Sequence, residues 1–312
     1  MSKSSRRTRS SRIATFSTLA ALLVAAALLT GCGDDEKMDS TGKTGDSGSI
    51  TAAKDQAVAD LVPAAIADKG RLVVAMDASY PPNEFFDKDG KTIIGMDPDL
   101  AKILGEVMGL EVETKNATFD SILPGLAANK YDLAMSSFTD TKEREKAVDM
   151  VTYLIAGTKF YTASDNATDI SGIADLCGKT VAVEKGTTQA DDAEAQSKKC
   201  EDAGDKAVTV DVYPDQNGAN LALTSGRAQI GMADSPVAAH IIAQSGGKLQ
   251  QTGEDYGEAP YGIAINKDSG LTEAVLAAVK SAIEGGQYMA VLEKWNLADE
   301  AIDEPKINDG VE

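Results

Sequence analysis

The chain runs to 312 residues, of which 43% are apolar and only 5% aromatic, a composition that suits a water-soluble α/β protein of two lobes. A formal net charge of −19 argues against nucleic acid or an anionic membrane surface as partner, the more so once the basic leader residues Lys3, Arg6, Arg7, Arg9 and Arg12 are set aside. With His240 the only histidine, no metal centre and no cofactor are expected.

The leader comes first in chain order. After its basic start, residues 19–29 form an 11-residue apolar run, too short to span a bilayer and ordered like an export signal, so residues 1–31 are read as a signal peptide. The LTGC sequence at 29–32 resembles the bacterial lipobox. That resemblance implies cleavage before Cys32 and acylation there, palmitate included, which would anchor the protein at the outer face of the cell membrane; each buried methylene contributes about 0.8 kcal/mol. SRRTRS shares the arginine pair of a twin-arginine signal without the apolar residues expected after it, so the export route stays open. Residues 32–57, rich in Gly, Ser and Asp, read as a flexible tether with a mean reach of roughly 25 to 30 Å.

Beyond the tether, short apolar strands alternate with amphipathic helices, the rhythm of βαβ units. RLVVAM at 71–76 is a strand. In GMDPDLAKILGEVMG, Asp97 is placed to cap a helix whose first turn holds Pro98. Leu100, Ile103, Leu104, Val107 and Met108 share one face, and Gly109 stops it. A second helix is expected over 120–128, turning at Asn129 into the strand YDLAMS. Further strands are expected at 158–163, 179–184, 207–213, 228–233 and 261–266, with closing helices at 271–284 and 287–295, where Tyr288 and Trp295 read as structural. Cys177 and Cys200 bracket one strand and one helix, and in an exported chain they are expected to form a disulfide contributing roughly 3 kcal/mol. An internal echo aligns LAANKYDLAMSS with LTSGRAQIGMAD, so that Ser137 falls on Asp234; if the echo is real, both are strand ends facing one cleft.

The motifs LVVAMDASYPPNEF, IGMDPDL, TFDSILPGLAANKYDLAMSSFTDTKEREKAVDM, KTVAVEKGTTQ, MADSP and YGIAINKDSGLTEAVLAAVKSAIEGGQYMAVLEKWNL occur in that order. Together they resemble the polar amino acid family, family 3, of extracellular solute-binding proteins that serve ABC importers. The resemblance implies a type II periplasmic-binding fold, two α/β lobes joined by two crossover hinge segments. Lobe 1 would take 58–154 and 261–305, lobe 2 would take 159–256, the hinge 155–158 and 257–260, and 306–312 would be a C-terminal tail. It further implies a monomeric receptor, not an enzyme, that passes an amino acid to a permease. No GxxxxGK[ST] occurs, so the ATPase must be a separate chain. The rivals are an exported dehydratase on the same fold and a sensor for a membrane kinase or channel.

Residue by residue, the resemblance assigns the ligand α-carboxylate to Arg144, whose planar fork of donors suits a carboxylate. Ser137 and Thr139 would add hydrogen bonds from one lobe, and Thr187 and Thr188 from the other at a helix start, where the hydroxyls could equally be caps. Asp234 would receive the α-ammonium, or else cap the helix after it. Tyr80 and Phe119 would sandwich the side chain. Asp77 and Glu184 would lie near its far end, disfavouring an acidic ligand and favouring a basic amino acid, then glutamine.

Overall fold

The computed structural model describes residues 50–312; the signal segment and Cys32 lie outside the described residues. The tether is shorter than its composition suggests. Ile50 and Ala52 already pack on the first lobe's core, and the Ala52 N–H donates to Glu106 Oε2 at 2.7 Å. Asp55 then caps α1 (Gln56–Ala59), accepting from the Ala57 and Val58 N–H groups. A second short helix, α2 (Ala64–Lys69), leads into β1 (Arg71–Met76), found where the sequence places it.

A small antiparallel sheet follows, of β2 (Ser79–Tyr80), β3 (Glu84–Phe86) and β4 (Ile93–Ile94). It delivers the chain to α3 (Met96–Met108), and here one expectation is corrected: Gly95, not Asp97, holds the cap position. The chain passes so close beneath Asn83 that a Cβ at residue 95 would lie 2.1 Å from the Asn83 carbonyl oxygen, at a φ of +140° that side chains rarely adopt. The helix therefore starts at Met96, and Asp97 is turned into the core, where its Oδ2 accepts from the Ser137 N–H at 3.2 Å. Leu100, Ile103, Leu104, Val107 and Met108 are all buried, as their spacing predicts, and Gly109 ends the helix in the left-handed conformation. β5 (Glu111–Asn116), α4 (Phe119–Ala127) and the two-residue β6 (Leu133–Ala134) complete this stretch.

The second correction concerns the first crossover. The sequence suggests a strand beginning at 158, whereas β7 (Val148–Ala163) runs unbroken for 16 residues through both lobes. The second lobe contains β8 (Thr180–Glu184), α5 (Thr188–Ala203), β9 (Thr209–Tyr213), α6 (Gln216–Thr224), β10 (Ile230–Asp234), α7 (Ser235–Gln244) and β11 (Leu249–Gln251). The chain returns on β12 (Tyr256–Asn266), again longer than the expected 261–266, and ends with α8 (Thr272–Glu284) and α9 (Gln287–Trp295). β7 and β12 pair antiparallel, with register shifts between Tyr256 and Ala259 and between Tyr261 and Gly262. Their pairing merges both lobes into one nine-stranded sheet of order β5-β1-β6-β12-β7-β10-β8-β9, with β11 on β7. Extended chain on both sides keeps backbone groups paired across the crossover, where loops would leave them to water.

Leu72, Val74, Met76, Ile103, Tyr153, Val279 and Leu292 belong to the first lobe's core, and Phe160, Val181, Val183, Ile230 and Met232 to the second's. A third cluster draws on both, joining Phe119, Ile122 and Phe138 to Tyr161, Ala219 and Val237 along the facing surfaces. Tyr288 and Trp295 are structural, as expected: the Tyr288 hydroxyl donates to the Tyr153 carbonyl and the Trp295 indole to Asp99. Cys177 and Cys200 are joined, with Cα atoms 5.6 Å apart. No described helix is long and apolar enough to cross a membrane, and no metal-ligating cluster occurs among the described residues.

Candidate functional site

Parallel strands end, and the helices after them start, at one edge of a sheet, so a cleft along that edge collects both. The echoed α4–β6 and α6–β10 units deliver Ser137 and Asp234 to one pocket. Tyr80, Phe119, Thr139 and Arg144 also line it from the first lobe, and Thr187, Thr188, Gln189 and Gln216 from the second.

Arg144 follows the 139–143 loop and reaches across the cleft. Its Nη1 donates to the Thr139 carbonyl at 2.8 Å and its Nη2 to the Gly186 carbonyl at 3.0 Å, one from each lobe. The guanidinium carbon lies 5.4 Å from the ring centres of both Phe119 and Phe138, which stack 4.4 Å apart. Flat aromatic faces fix the plane of the fork while leaving most of its five N–H donors for another acceptor. Pairing with Glu143 or Glu145 does not occur; those carboxylates bind Lys146 and Lys142. Tyr80 completes the aromatic wall, edge-on to Phe119 at 5.8 Å.

Asp234 does not cap α7 with its side chain. Its Oδ1 accepts from Gln189 Nε2 at 2.7 Å and its Oδ2 from the Tyr261 hydroxyl at 2.6 Å, which fixes the carboxylate toward the pocket. Burial raises its pKa to about 6, against the pull of those two hydrogen bonds and of Arg144. Thr187 does act as a cap, accepting from the Ala190 N–H and donating to the Glu184 carbonyl.

Ser137 adopts a left-handed φ of 52°, rare for a residue with a side chain. Fully buried Asn83, Glu84 and Asp97 hold it there: Asn83 donates to its Oγ at 2.9 Å, and Oγ lies 3.3 Å from both Glu84 oxygens. Burial and the adjacent Asp97 carboxyl keep Glu84 well above the ordinary carboxylate range.

Asp77 and Glu184 do not line the open space; they are enclosed beside Tyr80, at 5% and 1% exposure. Asp77 accepts from the Phe119 N–H at 2.9 Å. Glu184 has no partner for either oxygen, and neither has the Tyr80 hydroxyl. Burial, reinforced by Asp77, lifts Glu184 to about 9. Two carboxyl oxygens and a hydroxyl without partners, enclosed in one place, leave hydrogen-bonding capacity there for a ligand group.

Two polar pocket residues escape the sequence reading. Gln189 sits one residue beyond the threonines of KGTTQ and holds Asp234, and its motif position is the signal that could have found it. Gln216 begins α6, donating to the Tyr161 hydroxyl at 2.8 Å, while its N–H reaches Ser79 Oγ in the other lobe at 3.4 Å. Only its place at a helix start after a strand marks it.

A cleft between two α/β lobes on one shared sheet, lined by a cation on one side and an anion on the other, defines a solute-binding protein of the periplasmic-binding class. Residues 72–298 match the bacterial extracellular solute-binding proteins, family 3, and the chain belongs to that family. It is similar to the arginine-binding protein ArgT of Corynebacterium glutamicum, with 37% identity over 250 residues, covering 80% of this chain and 82% of that one. Among solved structures, an ancestral arginine-binding protein bound to arginine aligns with a TM-score of 0.66 and 34% identity over 72% of this chain and 98% of that one. The ancestral amino acid-binding protein AncCDT-1, described as a precursor of cyclohexadienyl dehydratase, aligns with a TM-score of 0.66 and 34% identity over 74% and 97% of the two chains. The matched family is described as one of extracellular solute-binding proteins.

Proposed function

We propose that the chain is the receptor of an ABC importer and binds L-arginine in its cleft. The observation that carries the choice of ligand is the enclosed Glu184 carboxyl and Tyr80 hydroxyl, which lack partners, beside the Asp77 carboxyl, an acidic set that suits a guanidinium and repels a ligand carboxylate. Arg144 takes the α-carboxylate, helped by Ser137, Thr139 and the N–H groups at Thr187 and Thr188. Asp234 takes the α-ammonium, and Tyr80 and Phe119 flank the aliphatic stem. Opposite charges supplied by opposite lobes couple binding to closure, because a ligand stabilises the closed form only by binding it better. The relatives whose descriptions name arginine support the same choice. Glutamine is the second reading, since a carboxyl raised to about 9 is protonated at neutral pH and can donate to an amide oxygen.

Titration calorimetry at pH 7.5 with arginine, lysine, glutamine and glutamate tests this. Arginine is expected to bind tightest and glutamate not measurably; glutamate binding as well as arginine, or no heat from any of the four, would overturn it.

Asp234 adds a pH dependence. A carboxyl raised to about 6 loses its charge below that pH, so affinity for any α-amino acid should fall by about tenfold per pH unit below about 6. Calorimetry between pH 4.5 and 6 that showed constant affinity would remove Asp234 as the ammonium partner.

The lobes take the ranges 58–154 with 261–305 and 159–256, hinged at 155–158 and 257–260. The receptor works as a monomer, held to the membrane by lipid on Cys32, beside a permease with its own ATPase. The lipobox-like LTGC supports the anchor; Cys32→Ser should release the protein from the membrane fraction, and unchanged retention would count against it.

A further inference from the structure

The family match ends at residue 298, and the segment beyond it has no role in that description. Yet residues 306–311 are each tied to the fold. Ile307 pairs antiparallel with Val151, and the Thr152 N–H donates to the Lys306 carbonyl at 2.9 Å. Asn308, at a left-handed φ of 54°, turns the segment: its N–H donates to the Met150 carbonyl at 2.9 Å, while its Oδ1 accepts from the Met150 N–H at 2.8 Å.

The turn aims the next residues at the loop that carries Arg144. The Asp309 N–H donates to Asp140 Oδ2 at 3.1 Å, and the Gly310 N–H to Glu145 Oε1 at 2.9 Å. Val311 bridges Thr141 in parallel, donating to the Asp140 carbonyl at 3.0 Å and accepting from the Lys142 N–H at 2.8 Å. Asp140 is fully buried, and its fit is tight: a Cβ on Gly310 would lie 2.6 Å from Asp140 Oδ1 and 2.8 Å from its carbonyl carbon and oxygen. On the other side, the loop is tied to the crossover by Asp140 N–H donating to the Pro260 carbonyl at 2.7 Å. Residues 140–145 are thus clamped between a crossover strand and this segment, and Arg144 projects from the clamp into the cleft.

We propose that residues 306–312 are a strap that positions Arg144 for the ligand carboxylate, so that ligand affinity depends on a segment beyond the matched family region. The strap makes none of the pocket's hydrogen bonds itself and acts through the loop. It rests on the reading of Arg144 given above.

The test is a double-mutant cycle in the full chain, read by arginine calorimetry at pH 7.5. Gly310→Ala pushes on the Asp140 backbone and should weaken arginine binding by roughly tenfold, since small misplacements of an orienting group have large effects. In an Arg144→Lys background, where the fork is already gone, the same change should cost less than about twofold, because residues acting through one another are not additive. Asn308→Ala unhooks the strap upstream and should reproduce both results, which covers failure of Gly310→Ala to fold.

If the parent protein binds no amino acid, the functional reading falls and the strap with it. If the parent binds arginine but the strap variants bind equally well, or lose the same factor in both backgrounds, the strap alone is overturned.

Discussion

Arginine affinity should climb with pH between about 6.5 and 8, by up to tenfold per unit, and Glu184→Gln should abolish the slope. Below about 9 the buried Glu184 carboxyl holds a proton, so a guanidinium that needs the carboxylate must displace it. Binding in that window therefore releases a proton, visible as a calorimetric heat that scales with the buffer's ionisation enthalpy. The variant should lose roughly a hundredfold in arginine affinity at about pH 8 and less at about pH 6.5, with glutamine little affected. Its unliganded form should also gain stability at neutral pH. A carboxyl raised on folding stabilises least above its folded pKa and most below its unfolded one, so the parent loses about 1.4 kcal/mol per pH unit between about 4.5 and about 9. Arginine affinity that is flat across the window, or unchanged in the variant, would show that the side chain goes elsewhere.

Arg144→Ala should weaken binding of every α-amino acid by roughly a hundredfold or more, whatever its side chain. The ligand carboxylate would be enclosed without its cation, and the stacked rings of Phe119 and Phe138 would lose the charge between them and the pocket. The fold should survive, because the Arg144 side chain bonds only the Thr139 and Gly186 carbonyls. Far-ultraviolet circular dichroism should match the parent. Retained affinity would remove Arg144 from the site, and a selective loss for arginine alone would mean it touches the side chain instead.

The strands and helices with clear period, β1 and α9 among them, are legible because local pattern and burial agree. The cysteine pair is legible because, with Cys32 read as part of the leader, only Cys177 and Cys200 remain to pair with each other. Asp97 misleads for a physical reason: an acidic residue before Pro98 has the pattern of a cap, but the close passage beneath Asn83 hands that position to Gly95 and sends the carboxyl into the core. β7 misleads because nothing in LIAGTKFY tells a loop from a strand whose partner lies about a hundred residues away. The pocket is legible where a motif marks a chain position, as with Arg144 and Asp234. Gln216 has no such mark, and its role emerges only when α6 is set against Tyr161 and Ser79.

The pairing of β7 with β12 also limits how the molecule can move. Two hydrogen-bonded ribbons side by side resist sliding and stretching but twist readily, so separation of the lobes must be taken up as torsion concentrated at the two register shifts flanking Pro260. Such a connector behaves like a torsion bar. On the proposed function, such a connector would bring the halves back to one alignment, so that a docking partner would meet one face of the loaded protein and another of the empty one.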